Sequence, residues 1–480
     1  MNSQLEDTCI KIKDSLTSEG LFSLPGGPGD TGEKVNSWRV SPCPFYISPE
    51  DRDFFVDLGP HLLKFYKTLN QFYFDSMSGK LAPWFAEYLN RGKPADLLNF
   101  SRMKRFRNHL PGIIRPDVIP TENGFAVTEL DSVPGGFGLT AALAALYSNV
   151  EIENIIGSEN GGIVSLFYKM LESVARKKDC VVALIVSDEA EDYRSEMQYL
   201  GRVLRKAGHP VYVKHPRELV FRESGLYLEE DGVEIAVSAV YRFYELFDLL
   251  NIPKAELIQY AIKKGTVSVS PPYKPFLEEK LVFSLFHHPA LHTLWKKELG
   301  SETFEILAHL IPKTWTLDNR ELPPHGVIPD LKVKGTPVQN WGVLNDLTQK
   351  ERQLVLKPSG FSPLSWGSRG VTVGHDVSSE EWKFALKEGL ENFSQNPSIL
   401  QDFHKGKQYP VPFWDWKSST LKEMQGRVRL TPYYFVVEDQ ARLGGILATI
   451  CPSDKKKIHG MTTAIMVPCA VKLTPDKDLQ

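Results

Sequence analysis

The rhythm of apolar and polar positions changes several times along this chain. Residues 1–110 carry aromatic-rich stretches such as FFVDLGPHLLKFYKTLNQFYF and predict a mainly helical region. Within it SLPGGPGDTG (23–32) is glycine-rich, but no strand precedes it, so a loop is expected rather than a phosphate-binding turn. IIRPDVIP and FAVTELDS flank the turn signal TENG and predict a hairpin over 112–131. PGGFG and the alanine-rich helix LTAALAALY follow.

From Cys180 the pattern becomes strand, helix, strand. VVALIVSD reads as a buried strand, EAEDYRSEMQYLGRVLRKAG as a helix closed by glycine, and HPVYVKH as the next strand. VEIAVSAVYRF reads as one further strand, then a helix to about Lys264 and the short strand TVSVS. Such alternation predicts a parallel α/β unit. Asp188 falls at the carboxyl end of its first strand, a place for a ligand contact or a helix cap. Residues 276–400 mix helices with glycine-rich strands, and 401–480 are strand-rich with a polar tail, KLTPDKDLQ. There is no internal repeat.

Composition bounds the class. The 480 residues predict about two to four domains at about 100–200 residues each. With 42% hydrophobic and 24% charged residues, the chain is neither disordered nor collagenous. Fifty-six basic residues against 59 acidic give −3, which argues against a dedicated nucleic-acid binder. Five cysteines without a CxxC pair fit a reducing compartment better than a disulfide framework. The polar start MNSQLEDTCIKIKDSL lacks a signal peptide's apolar core, and no apolar run approaches the roughly 18 residues of a membrane span. A cytoplasmic protein with no membrane partner is expected.

Candidate chemistry begins at the hairpin. Arg115 and Asp117 are two apart and share a strand face, as do Glu129 and Asp131. A three-residue turn centred on Asn123 would set Asp117 opposite Glu129 and Arg115 opposite Asp131. Three carboxylates so placed repel unless a cation lies between them, and oxygen ligands of this kind suit magnesium. A solvated polar face is the other reading, and spacing alone leaves both open. Upstream, SRMKRFRNHL gathers Arg102, Lys104, Arg105, Arg107 and His109, a cluster suited to phosphate or carboxylate groups or to a solvated helix face.

In LVLKPSGFSPLSWGSRGVTVG a strand ends at Lys357 and a loop follows with Gly360, Ser362, Gly367 and Gly370. A lysine before a glycine/serine loop can clamp nucleotide phosphates, although no GK[ST] opens a helix here. A plain hairpin loop is the alternative. Lys280 lies in PFLEEKLVFSLF at the start of an amphipathic helix, where an exposed lysine is the simpler reading. Gln401 closes the strand SILQDF, whose backbone could meet an adenine edge. Arg429 opens RLTPYYFVV and needs a partner there, an anionic substrate being one candidate. His287, His288 and His292 lack the HExxH spacing and read as a helical surface cluster.

Taken in order, these pieces resemble the circularly permuted ATP-grasp ligases, and most the glutathionylspermidine synthase family. In that family an Arg-x-Asp strand is followed by Glu-x-Asn, which bind magnesium and the transferring phosphate. The matching positions are Arg115, Asp117, Glu129 and Asp131, with aspartate in place of the family's asparagine. The resemblance further implies that Lys280 and Lys357 hold nucleotide phosphates under the loop 359–370. It places Gln401 near the adenine and Arg429 at the reacting phosphoryl group. The carboxylates precede the lysines, whereas ordinary ATP-grasp chains have the reverse order.

The fold implied is mixed α/β, a permuted ATP-grasp unit around a central Rossmann-like domain. Its parts would be 1–110 (helical), 111–178 with 401–480 (metal and phosphate), 179–275 (Rossmann-like) and 276–400 (lid with the lysines). The activity implied is ATP- and Mg²⁺-dependent joining of a small-molecule or peptide carboxylate to an amine. A phosphotransferase or a non-catalytic ATP-binding scaffold on the same fold are the rivals.

Overall fold

The computed structural model describes residues 2–23, 37–150, 152–323, 326–365, 369–455, 457–458 and 463–472. Most of SLPGGPGDTG, Gly367 of the glycine/serine loop and the tail from 473 lie outside these.

The chain starts with the helix Asn2–Ser18, which buries Cys9, Ile12 and Leu16, and continues to the short strand β1 (Phe45–Ile47). The long helix Pro49–Met77 begins at Ser48, whose hydroxyl accepts the Asp51 N–H at 3.1 Å, with proline in its first turn. The hairpin β2 (Ile113–Thr121) and β3 (Gly124–Asp131) follows, then the helices Phe137–Asn149 and Gly162–Ala175.

The α/β unit uses β4 (Val182–Val186), the helix Arg194–Lys206 and β5 (Val211–Lys214). A meander β6 (Leu219–Arg222), β7 (Gly225–Glu230), β8 (Val233–Ala236) precedes β9 (Ala239–Phe243) and β10 (Ser268–Ser270). VEIAVSAVYRF is therefore two strands. Its first half is exposed and pairs in the meander, while its second half is fully buried in the parallel sheet.

Beyond it come β11 (Thr314–Thr316), the small pair β12 (Lys332–Val333) and β13 (Thr336–Pro337), then β14 (Leu354–Pro358), β15 (Thr372–Val373) and β16 (Ser398–Asp402). The chain closes with β17 (Gln408–Asp415), β18 (Thr420–Val437), β19 (Gln440–Pro452) and β20 (Ile465–Val471).

Three sheets organise the chain. The largest runs β1-β20-β19-β18-β2-β3, with β17 also on β18. Its early and late strands meet through β2 and β18, so residues some 300 positions apart share one surface, as Leu430 opposite Val118 illustrates. A parallel sheet runs β10-β9-β4-β5, and an antiparallel one runs β11-β16-β14-β15. The main apolar cluster joins side chains of the first helices, the large sheet and the helix Phe137–Asn149. Gly59 lets the long helix lie on β18, because a Cβ there would sit 2.7 Å from the Tyr434 ring. Among the described residues, no helix is long and apolar enough to cross a membrane.

Candidate functional site

The hairpin carries the site. Arg115 faces Asp131 and Asp117 faces Glu129, the register expected, but by a different route. The turn has two residues, since Thr121 pairs with Gly124, and a bulge at Asp117/Val118 restores the offset. The extra residue is Thr128, whose carbonyl accepts a hydrogen bond from Lys357 Nζ at 3.0 Å. A bulge re-aims the chain in this way where a ladder partner is given up.

Each carboxylate has a cation. Asp117 lies 3.1 Å from Arg429 Nη1 and 3.4 Å from Arg115 Nε; Asp131 lies 3.1 Å from Arg115 Nη2; Glu129 lies 2.9 Å from Lys280 Nζ. Burial alone would raise Glu129, but Lys280, Lys357 and Arg115 overcome it and hold the carboxyl at about 2. Burial also opposes charge on Arg115 and Lys280, yet the facing carboxylates push both upward. Asp131 is raised, because burial outweighs the pull of Arg115. Lys357 is lowered to about 8 by burial, against the attraction of Glu129. Four cations against three carboxylates leave a small positive excess, suited to an anion.

Gln401 Oε1 accepts from Lys357 Nζ at 2.9 Å, and its Nε2 donates to Thr314 Oγ1 at 3.1 Å. Its amide thus orients the lysine. Asp117, Glu129, Lys357, Gln401 and Arg429 line one cavity of about 340 Å³ between the large sheet and the sheet of β14–β16. That is at the lower end of the about 300–1,000 Å³ of small-molecule pockets. Val355 and Val373 give it an apolar wall.

The loop after Lys357 is anchored from below. Glu279 accepts the Gly360 N–H at 2.9 Å and the Ser359 hydroxyl, and pairs with Lys93 at 2.5 Å, both side chains buried. Gly360 is required, because a Cβ would fall 1.8 Å from the Glu278 carbonyl oxygen. Ser362 shapes the turn by accepting the Leu364 N–H at 3.2 Å, and Gly370 N–H donates to the Leu364 carbonyl at 2.9 Å. Lys280 Nζ reaches the Ser365 carbonyl at 3.3 Å, so the two lysine segments meet.

Magnesium fits only in part. Asp117 Oδ1 is buried and makes no hydrogen bond, with Arg115 Nε 3.4 Å away. Among the described residues, however, no three His, Cys, Asp or Glu converge as a metal-holding group. Each of the three carboxylates pairs with a side-chain cation. The remaining donors suit an ion that arrives with phosphate oxygens and takes one or two protein carboxylates.

Other expectations end elsewhere. The basic cluster at 102–109 stays out of the cleft: Arg102 Nε donates to Tyr73 Oη at 3.0 Å, and Arg105 donates to the Lys263 carbonyl. His109 is lowered to about 4 by burial and neighbouring cations. Asp188 pairs with His215 at 3.1 Å and Arg217 at 3.4 Å rather than capping a helix. Of the three histidines, His292 is exposed and His287 half-buried; burial lowers His287 to about 4, and its ring bonds the Ile311 carbonyl at 2.9 Å.

Neither a protein-family model nor a curated protein matches the chain. Among solved structures, a glutathione synthetase-like effector from Globodera pallida, in its apo form, matches with a TM-score of 0.58 over 98% of both chains at 11% identity. A candidate gamma-glutamylcysteine synthetase from Methylobacillus flagellatus matches at a TM-score of 0.41 and 13% identity over 90% of this chain and 91% of its own. The first likeness shows a shared fold. This chain has the mixed α/β fold of a glutathione synthetase-like protein.

Proposed function

We propose that the protein is an ATP-dependent ligase joining a carboxylate to an amine through an acyl phosphate, on an ATP-grasp fold in permuted order. The observation that carries this reading is the convergence of Asp117, Glu129, Lys357, Gln401 and Arg429 on one cleft from three distant stretches. Lys280 and Arg115 join through ion pairs to Glu129, Asp117 and Asp131.

In this reading a substrate carboxylate oxygen attacks the γ-phosphorus of ATP. The new O–P bond forms as the bond to ADP breaks. The amine nitrogen then attacks the acyl carbon, a C–N bond forms, inorganic phosphate leaves, and the nitrogen gives up a proton. The protein's part is placement and charge neutralisation. Lys357 and Lys280 hold nucleotide phosphates. Arg115 and Arg429 neutralise the transferring phosphoryl group and the acyl phosphate. The segment that follows Lys357 would close over the cleft during turnover and keep water from the activated acid. Asp117 and Glu129, with Asp131 beside them, would hold a nucleotide-borne magnesium ion, which supplies Lewis acidity to the phosphates.

ADP release from ATP and Mg²⁺ with a pool of acids and amines tests the reading. Asp117→Ala and Glu129→Ala should each lower it by about 10²–10³, the worth of one charge contact at a reacting centre. Normal turnover in both variants would remove the assignment. Hydroxylamine added to the wild type should give hydroxamate, which a phosphotransferase making a stable phosphate would not.

A further inference from the structure

Behind the two arginines lies a second cavity of about 370 Å³ whose lining includes Arg115, Arg429, Thr431, Thr449 and Ser37. Arg429 lines both cavities, so the two meet at the proposed reacting centre. The floor is one face of the large sheet. Arg429, Thr431 and Tyr433 are two apart on β18 and face the same way. Thr449 is the cross-strand neighbour of Arg429. Ser37 joins from the N-terminal region.

Thr431, Thr449 and Ser37 are 2%, 1% and 8% exposed, and none of their hydroxyls has a hydrogen-bond partner. Buried polar groups are nearly always paired, and an unpaired one is unfavourable. Three around one cavity, beside two arginines, form a ready set of donors and acceptors for a bound molecule. Arg115 and Arg429 are the only lysine or arginine among the described lining residues, and Asp192 and Glu196 also line the space. One carboxylate is provided for, and a second would meet acidic neighbours.

We propose that this cavity binds the acid and selects its chain: a monocarboxylate carrying an amide or hydroxyl that Thr431 and Thr449 bond, in preference to an alkanoic acid. Only the statement that the bound acid is then activated rests on the ligase reading; the selection concerns binding alone.

The test is calorimetric titration of the full chain with N-acetylglycine and N-acetyl-β-alanine against the chain-matched pentanoate and hexanoate. The amide acids should bind about tenfold more tightly or better, the scale of one buried polar group paired instead of left unpaired. Thr431→Val and Thr449→Val should each erase most of that preference. Their melting temperatures without ligand should stay level or rise, because an unpaired buried hydroxyl is removed. Equal binding of both acid classes, binding of neither, or a preference that survives in both variants overturns the proposal. So does lost preference with a lowered ligand-free melting temperature, which would mean that the hydroxyls hold the fold. ADP release separates the two readings. Selective binding without ADP release sinks the ligase and leaves the cavity assigned; ADP release indifferent to the amide does the reverse.

Discussion

Lys357 is where the cleft's electrostatics become measurable. Burial lowers it to about 8, so it is charged below that pH and increasingly neutral above it. A clamp on phosphates needs the charged form, so nucleotide affinity should fall as pH rises through about 8. Binding near that pH should take up protons, because phosphate oxygens favour the ammonium. Lys357→Met should weaken nucleotide binding by about 1.5–3 kcal/mol, the worth of a charge-assisted hydrogen bond, and abolish the proton uptake. Calorimetry in buffers of different ionisation enthalpy reads both; unchanged affinity and uptake would clear Lys357 of the role. Residue identity and two-residue spacing made the hairpin legible in the sequence, since Arg115, Asp117, Glu129 and Asp131 do share a face. They could not show that every carboxylate is taken by a cation, because Lys280, Lys357 and Arg429 arrive from other sheets and segments. Thr431 was findable from the same periodicity, two positions after Arg429, but an unpaired hydroxyl shows only in three dimensions.

Elements position these residues, and the bulge at Thr128 is the clearest case. Sequence reasoning counts residues around a turn; here a shorter turn and one extra strand residue cancel, which periodicity alone cannot reveal. The glycine/serine loop is held from beneath by a buried pair that carries no motif. Lys93 comes from the helical N-terminal region and Glu279 from the segment before Lys280, and together they fix Ser359 and Gly360. Removing one partner of a buried ion pair leaves an uncompensated charge, a loss of about 3–5 kcal/mol. Lys93→Met should therefore lower stability to chemical denaturation by about that amount, and a Lys93→Met/Glu279→Gln double variant should recover part of it. Full additivity of the two substitutions would show that the pair is not coupled. The strand VEIAVSAVYRF misled for a related reason: it is apolar enough to run straight through, but its two halves belong to different sheets.

At the scale of the molecule, the first helix, the edge strand β1 and the last strands form one core. The helix Asn2–Ser18 buries Ile12 and Leu16, and β1 runs parallel to β20. Deleting residues 1–18 should lower the stability of the whole chain by at least about 3–6 kcal/mol, counting those two side chains alone. It should shift a shared unfolding transition, where an independent N-terminal unit would leave the rest unmoved in a calorimetric scan. The division into α/β and strand-rich stretches was legible from changing periodicity. The closing of β2 on β18 was not, because no local pattern records a pairing across 300 residues. That pairing puts Asp117 against Arg429, and the proposed chemistry depends on it. Supplying an acid labelled with heavy oxygen in its carboxyl group, together with ATP, Mg²⁺ and an amine, and weighing the released phosphate by mass spectrometry tests the central claim most directly. Transfer of one labelled oxygen from the acid to phosphate is the predicted result; ADP release with unlabelled phosphate would contradict an acyl-phosphate ligase.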